Sequence, residues 1–505
     1  MKNFPTIAAV DLGSNSFRLQ VARVDDDQVY SLDSLRDPVR LAAGLNASKL
    51  LDESAQGRAI ECLKRFGERL RGMPAGAVRA VGTNTLRVAK NVREFVPKFE
   101  AALGFPIEVV AGREEARLIY LGVAHSLPLT AEKRLVVDIG GGSTEFIIGA
   151  GHQPHRLESL YMGCVSFSLK FFEGERLTKS NFRQAELAAR IELETIKKHF
   201  SPKQWRHAVG SSGTARAIGD ILGANGWSSG AINREGLERL RAAMLKAGSV
   251  DRLAMPGLRE DRVAVLPGGF AIMAAIFEEL GVEQMELANG AMRQGILWDM
   301  VGRAHHRDTR EQTVRQFVKR YHVDAIQAHR IEKLALKLYE QMAGAPREEI
   351  EYPRQLLSWA TRLHELGLTV AHSGFHKHSA YIIANADMPG FSKMEQQQLS
   401  MLVLAHRGSL SKLRGLVRDE RDWSLLVAIR LAALLHRSRS DARLPAMHAS
   451  RSKSAFVVEI EKTWLAENPL TAAELRAEIR DWNVLDIALR MPELEEMESE
   501  ALAAD

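Results

Sequence analysis

Cysteine is the scarcest reactive chemistry in this chain of 505 residues: Cys62 and Cys164 are its only two. Two thiols build neither a disulfide framework nor a cysteine-rich zinc site, and they suit a reducing compartment. C-x-x-C and H-E-x-x-H are both missing, which removes the commonest zinc signatures. No Gly-Lys dipeptide occurs and no G-x-G-x-x-G opens a helix at a strand end, so neither familiar glycine-rich nucleotide loop is present. The longest uncharged apolar run, Val263 to Phe277, is broken by Pro267-Gly268-Gly269. It falls short of the ~18 residues that a membrane span needs. The amino-terminal run Ile7-Ala8-Ala9-Val10 is stopped by Asp11, too early for a signal peptide. Aromatics make up 6% of the chain, too few for extensive base stacking on single-stranded nucleic acid. A cytoplasmic protein without membrane insertion is expected.

What is present is ordinary globular material, 46% hydrophobic and 26% charged, long enough for several cores. The net charge of +5 is mild, but its distribution is uneven. Residues 405–455 carry 11 Lys and Arg against 4 Asp and Glu, whereas 456–505 carry 4 against 13. A basic segment followed by an acidic tail offers a surface to an anionic partner. Of 16 histidines, 11 lie beyond residue 300, which marks a different module there.

The chain contains an internal echo. Ala9-Val10-Asp11-Leu12-Gly13-Ser14-Asn15-Ser16-Phe17-Arg18-Leu19 recurs as Val136-Val137-Asp138-Ile139-Gly140-Gly141-Gly142-Ser143-Thr144-Glu145-Phe146. Each copy is an apolar strand, an Asp, a glycine turn with small hydroxyl residues, and a second strand. Two similar α/β halves facing each other across a cleft follow, each presenting its turn to a shared ligand. Glycine lets consecutive backbone N–H groups approach an anion, so two matched turns point to one polyanion. Helices are expected over Ser54 to Leu70, about Glu114 to Ala124, Lys179 to Phe200 and Arg262 to Leu280, the last broken or entered near Pro267. Strands are expected at Ala77 to Val81, at His207 to Val209 and, in the tail, at Ala455 to Ile460. Strands alternating with helices place residues 1 to about 305 in the α/β class. Thr309 to about Arg439 is helical in pattern.

The paired hairpins resemble the superfamily of actin, sugar kinases and heat-shock chaperone ATPases. Within it, Asp11-Leu12-Gly13-Ser14-Asn15-Ser16, Gly82-Thr83-Asn84-Thr85-Leu86-Arg87, Gly112-Arg113-Glu114-Glu115-Ala116-Arg117, Asp138 to Glu145 and Gly210-Ser211-Ser212-Gly213-Thr214 resemble the exopolyphosphatase and guanosine pentaphosphate phosphohydrolase family, with the long exopolyphosphatase-type members as the nearest likeness. The resemblance implies two actin-like, ribonuclease H-like lobes around a cleft (1–130 and 131–305). It implies next an all-α His-Asp-phosphohydrolase-like domain (306–445) and a small C-terminal α/β domain (446–505). It implies processive, Mg²⁺-dependent release of terminal phosphate from inorganic polyphosphate, with hydrolysis of the 5′ phosphate of pppGpp as the alternative, pppGpp and ppGpp as further ligands, and a homodimer.

By position in the motif the base is Glu115. On a helical wheel Glu115 falls between Leu118 and Ile119, while Glu114 lies toward Arg117 and Leu121. Asp138 and Glu145, with Asp11, would hold Mg²⁺, a hard ion that takes oxygen ligands and keeps waters. Gly140, Gly141, Gly142 and Ser143 would offer backbone donors from one lobe, and Ser14, Asn15 and Ser16 from the other. Arg87 would bind the transferred phosphoryl group. Ser211, Ser212, Gly213 and Thr214 suit a nucleotide and a phosphate chain equally.

In the helical region, His329, His364-Glu365, His376, His378, His406 and Leu431 to His436 resemble the His-Asp metal phosphohydrolases. Glu365 replaces the dyad Asp, and Ala433 stands where the last metal-binding Asp is expected, so a retained fold with a vestigial metal site is anticipated. Arg407, Lys412, Arg414, Arg418 and Arg421 would extend a basic track for a long anion. Truncation after about residue 305 is then expected to leave hydrolysis of short chains in place and to raise KM for long ones, as phosphate-release kinetics on sized polyphosphates would record.

Overall fold

The structure is a computed structural model. It describes every residue except 1–3, 26–27, 129, 305–307, 414–416, 418–419, 442, 453–454, 486 and 505, and only the backbone of 304, 347–348, 420–421 and 500–504. The chain divides into two compact units, Met1–Asp308 and Thr309–Asp505. Among the described residues no helix is long and apolar enough to cross a membrane.

The first unit contains two sheets. One consists of β1 (Thr6–Leu12), β2 (Phe17–Asp25), β3 (Gln28–Asp37), β4 (Val78–Gly82) and β5 (Ile107–Val109), in the order β3-β2-β1-β4-β5. The other consists of β6 (Arg134–Ile139), β7 (Thr144–Ala150), β8 (Gln153–Leu160), β9 (His207–Gly210), β10 (Ala231–Asn233) and β11 (Gln284–Leu287), in the order β10-β11-β9-β6-β7-β8. In each, the central strand pairs antiparallel with its hairpin partner and parallel with the strand on its other side. Apart from the extra edge strand β10, the second sheet repeats the topology of the first. The register repeats as well: Asp11 pairs with Arg18 across β1 and β2, as Asp138 pairs with Glu145 across β6 and β7.

The central strands are apolar on both faces because both faces are covered. Ile7 to Val10 and Leu135 to Val137 are all buried. One apolar cluster draws Ile7, Ala9 and Val81 from the first sheet and Val136, Ile147 and Val209 from the second, with the helices Gly112–Ser126 and Met292–Ala304 filling the space between. These two helices touch backbone to backbone. A Cβ at Gly295 would collide with the Leu118 carbonyl, and one at Gly290 with the carbonyl of Gly122.

Local signals set the helix starts. The Asp52 side chain accepts from Ala55 N at 2.6 Å before the helix Glu53–Leu70. Ser212 Oγ accepts from Thr214 N and Ala215 N at 3.1 and 3.0 Å before Gly213–Ala224. The run expected as one helix from Arg262 is a short turn, Glu260–Val263, followed by Leu266–Glu279. Pro267 lies in the first turn of that second helix, where its missing N–H costs no intrahelical bond, so the helix is entered at the proline and not broken by it.

The second unit opens with helices including Ala325–Ala343, Arg347–Leu363, Phe375–Asn385, Lys393–Ala405 and Glu420–Leu435. It closes with a three-stranded sheet, β12 (Met447–Arg451), β13 (Ala455–Ile460) and β14 (Ala488–Arg490), and helices that include Pro469–Asn483. Phe456, Val458 and Trp482 from this last part share one apolar core with Trp359, Leu399 and Leu426 from the helices.

The glycine contact gives a direct test. Gly295→Val must push the helix Gly112–Ser126 away. It is expected to cost about 1–3 kcal/mol in urea unfolding and to lower activity more than that loss of stability explains.

Candidate active site

The two glycine turns meet. A Cβ placed on Gly141 would stand 3.0 Å from Ser14 Cβ and 3.2 Å from Asn15 N, so the turn of the second sheet lies against the turn of the first. Around this junction a cavity of about 270 Å³ is lined by Asp11, Gly13 to Ser16, Glu115, Asp138, Gly140, Gly141, Ser143, Ser211, Ser212 and Gly213, among others. The structure thus gathers residues from all the sequence motifs except the Arg87 side chain, which lies just behind the wall.

Glu115 occupies the first turn of the helix Gly112–Ser126 and is 7% exposed. Arg87 Nη1 donates to Glu115 Oε2 at 3.1 Å and to the Val110 carbonyl at 2.8 Å. Burial raises the Glu115 pKa, and the Arg87 guanidinium opposes that rise. Arg87, expected on the phosphoryl group, instead holds the carboxylate expected to be the base.

Glu114 is buried too, which the wheel did not anticipate. It receives Arg117 at 2.8 Å through both oxygens, and Arg117 and Arg79 each reach Asp299 at 2.6 Å. Burial alone would raise the Asp299 pKa, but Arg117, Arg303 and Arg79 hold it well below the usual range.

The three residues expected to hold metal lie close together. Burial lifts Asp138 to about 7, against a 3.1 Å hydrogen bond from Ser211 Oγ, with Glu115 and Asp11 adding repulsion. Burial likewise lifts Asp11 to about 6. Glu145, which accepts from Ser159 Oγ at 2.8 Å, is raised well above its usual value by burial and by Glu115 and Asp138. Among the described residues no group of three or more His, Cys, Asp or Glu is placed to hold a metal ion.

Of the expected phosphate binders, Gly142 packs its Cα against Asn84, and Thr214 Oγ1 donates to the Ile139 carbonyl at 3.0 Å; neither lines the cavity. Ser14 Oγ accepts from Thr85 Oγ1 at 2.9 Å. Ser16 Oγ, Asn84 Nδ2 and Arg262 Nε are buried without a hydrogen-bond partner, a state that costs free energy unless a ligand satisfies it.

Sequence reasoning missed the arginines. Arg18, Arg36, Arg216, Arg259, Arg262 and Arg293 all line the cavity. They are scattered over some 275 residues and form no motif. Arg18 alone was within reach, since it occupies the position in the first repeat that Glu145 occupies in the second. Burial and the neighbouring Arg293 lower Arg18 to about 10. A cavity lined by six guanidiniums as well as by carboxylates suits a ligand that is a polyanion.

In the second unit, the His406 ring stands 5.1 Å from that of His364 and 6.2 Å from that of His376, edge to face. Burial holds His364 and His376 near 4 and His406 well below its usual value. The Arg439 guanidinium pairs with Glu365 and, at 3.2 Å, with Asp324. Of the expected basic track, Lys412 Nζ donates to the Arg407 carbonyl at 2.6 Å, and the Arg407 guanidinium lies 4.9 Å above the Phe375 ring. Arg414, Arg418 and the side chain of Arg421 lie outside the described residues.

A duplicated α/β scaffold whose paired glycine turns face one charge-lined cavity defines a phosphate-handling protein of the actin-like class. The particular family follows from sequence. The pattern of the Ppx/GppA phosphatase family matches residues 20–304, and that of Ppx/GppA phosphatase domain III matches 309–479. The chain belongs to the Ppx/GppA phosphatase family, hydrolases of phosphoanhydride bonds. It is 39% identical over 476 residues to guanosine-5′-triphosphate,3′-diphosphate pyrophosphatase of Vibrio cholerae, covering 94% of this chain and 95% of that protein. The protein of the same name from Aeromonas hydrophila is 37% identical over 483 residues, covering 95% and 97%. Among solved structures, an exopolyphosphatase from Cytophaga hutchinsonii superposes with a TM-score of 0.53 at 23% identity, over 58% of this chain and 97% of that one. An exopolyphosphatase-like protein gives 0.52 at 24%, over 58% and 97%. These two share the fold of the first unit's size.

The raised carboxyls fix a pH dependence. A carboxyl whose folded pKa exceeds its unfolded value stabilises the fold below the unfolded pKa, here 3.8, and loses that contribution as pH rises through the folded value of about 7. In metal-free protein, Asp138→Asn is therefore expected to gain on the order of 1–3 kcal/mol over wild type between pH 4 and pH 8. Urea unfolding in chelator at both pH values measures it.

Proposed function

We propose that this protein hydrolyses the terminal phosphoanhydride of the 5′ chain of guanosine-5′-triphosphate,3′-diphosphate, releasing orthophosphate. The observation that carries this reading is the near full-length similarity to relatives bearing that name, joined to a cavity whose six arginines match a polyphosphorylated ligand. The order of the two sequence-based expectations is thereby reversed: pppGpp comes first and inorganic polyphosphate second. The second reading stays in place because the arginines that line the same cavity suit an inorganic phosphate chain as well.

In the proposed reaction Glu115 takes the proton from the attacking water, for which its elevated pKa and burial suit it. Arg87 orients that carboxylate through the 3.1 Å bond. The Gly140 N–H, expected to be a donor to the ligand, is instead given to the Ser143 carbonyl at 2.9 Å and closes the turn, so Gly141 and Ser143 would face the chain from one turn and Ser14, Asn15 and Ser16 from the other. Ser211, Ser212 and Gly213 border the same cavity, with Thr214 supporting their turn. Arg18, Arg262 and Arg293 neutralise the non-transferred phosphates.

Asp138, Glu145 and Asp11 would hold a divalent cation, with Mg²⁺ the fitting ion. All three are oxygen donors raised in pKa first by desolvation and then by the nearby Glu115 charge, and a cation would offset that repulsion. Since among the described residues no three His, Cys, Asp or Glu are placed to hold one ion, waters and phosphate oxygens would complete its shell. When bound, the ion would supply charge neutralisation at the transferred phosphoryl group.

The second unit is proposed to be a His-Asp-like helical domain with a vestigial centre. This is supported by the clustered His364, His376 and His406 and by Arg439 supplying a positive charge to Glu365. Assembly as a homodimer and a place in the cytoplasm belong to the same proposal.

Glu115→Gln is expected to lower kcat for pppGpp by at least ~10²-fold while leaving Kd within a few-fold. Phosphate release and equilibrium binding, run side by side with long-chain polyphosphate as the competing substrate, test both the base and the order of the two substrates. A larger kcat/KM for polyphosphate would reverse that order.

A further inference from the structure

The duplication extends one strand beyond the hairpins. In the first sheet Asp11 pairs with Arg18 and Arg18 with Arg36, across β1, β2 and β3. In the second, Asp138 pairs with Glu145 and Glu145 with Ser159, across β6, β7 and β8. Directly paired residues share a face of the sheet at a strand spacing of about 4.8 Å, so each row is a line of neighbouring side chains. The first row ends in a guanidinium, which pairs with Asp261. The second ends in a hydroxyl.

That hydroxyl is engaged on both sides. Ser159 Oγ donates to Glu145 Oε1 at 2.8 Å. The other oxygen, Glu145 Oε2, lies toward the glycine turn, where a Cβ placed on Gly140 would stand 4.0 Å from it. Ser143 is the second hydroxyl bonded to this carboxylate. On its far side Ser159 is packed directly on Gly112, the first residue of the helix that carries Glu115. A Cβ at Gly112 would stand 2.6 Å from Ser159 Cβ and 2.7 Å from Oγ, with Arg87 Nη2 3.7 Å from the same point. Ser159 therefore meets a carboxylate expected to hold metal and the helix start that bears the expected base.

We propose that Ser159 is a positioning residue of the cation site: its hydroxyl holds Glu145 Oε1 and so leaves Oε2, on the Gly140 side, presented to a divalent cation, while its seat on Gly112 sets that carboxylate against the helix turn bearing Glu115. The residue type follows from charge. A guanidinium at this end of the row, as Arg36 is in the other sheet, would take Glu145 as an ion pair and compete with the cation for it. A hydroxyl orients the carboxylate and leaves its charge to the metal, which is what hydrogen-bond donors behind metal ligands do. The proposal rests on the hydrolase reading and its cation site above and deepens both.

The test uses full-length, metal-free protein without substrate and takes Mn²⁺ as the probe ion, with free Mn²⁺ read by electron paramagnetic resonance. Ser159→Ala is expected to raise the Mn²⁺ Kd about tenfold, and Ser159→Thr, which keeps the hydroxyl, to hold it within about threefold of wild type. In turnover of pppGpp at limiting Mn²⁺, Ser159→Ala is expected to lower kcat and to recover most of it as Mn²⁺ is raised, with KM within about twofold of wild type, a split that loss of packing alone would not produce. A Mn²⁺ Kd unchanged by Ser159→Ala, or raised equally by Ser159→Thr in protein whose thermal unfolding is unaltered, would overturn the proposal. Absence of Mn²⁺ binding in wild type would overturn it together with the cation site. Failure of wild type to release phosphate from pppGpp would sink the hydrolase reading alone, because Mn²⁺ binding is measured without substrate.

Discussion

The crowding of Asp11, Asp138 and Glu115 on the wall of one cavity that six arginines also line, with Glu145 close by, is the constraint on which this structure turns. Burial raises all four of Asp11, Asp138, Glu145 and Glu115, the Glu115 charge adds to the rise at the other three, and among the described residues Arg87 is the arginine hydrogen-bonded to one of them. A fold that reached stability alone would not collect them, since each buried charge without a partner is costly. The duplicated hairpin brings Asp11 and Asp138 to matching places, and the close packing of Gly141 on Ser14 and Asn15 presses the two places together. The scaffold is thus organised around a charge distribution that only a cationic and polyanionic ligand together would neutralise.

The arrangement is asymmetric in a way the duplication makes visible. At one register position the first repeat has Arg18 and the second has Glu145. The two lobes keep the same backbone and differ in charge at the residue opposite the Asp. One lobe therefore sets a guanidinium beside its Asp, and the other sets a second carboxylate there. Compensation is arranged differently below the cavity, where Asp299 gathers Arg79, Arg117 and Arg303 and where Glu114 pairs with Arg117. That buried network ties β4 and both central helices together, so the helix bearing Glu115 is fixed by ionic contacts as well as by apolar ones.

Much of this was legible in the sequence for identifiable reasons. The repeat was visible because a strand, a glycine turn and a strand must be written in consecutive residues. The β13 boundaries, Ala455–Ile460, were visible because a short apolar run there is bounded by polar residues. The direction of Glu115 followed from helical periodicity, but the burial of Glu114 did not. Its partner Arg117 is only three residues on, but what draws that pair inward is Asp299, 182 residues beyond Arg117, and no local pattern announces an ion pair of that separation. The same holds for the arginines, which reach one cavity from β2, β3 and three later segments. Arg87 was assigned to the ligand on charge alone, and only the fold shows its Nη1 shared between Glu115 and the Val110 carbonyl. Spacing reveals residues that act from one turn, and it is silent about those assembled by folding.

The glycine contact between the helices Gly112–Ser126 and Met292–Ala304 has a mechanical meaning. Side-chain layers between helices are compliant, because rotamers yield before backbones move; here Gly295 leaves no such layer against the Leu118 carbonyl. The second of these helices is the last of the first unit and ends just ahead of the junction at residue 308. A displacement of the helix Met292–Ala304 along this contact would therefore pass almost undamped to the helix whose first turn carries Glu115.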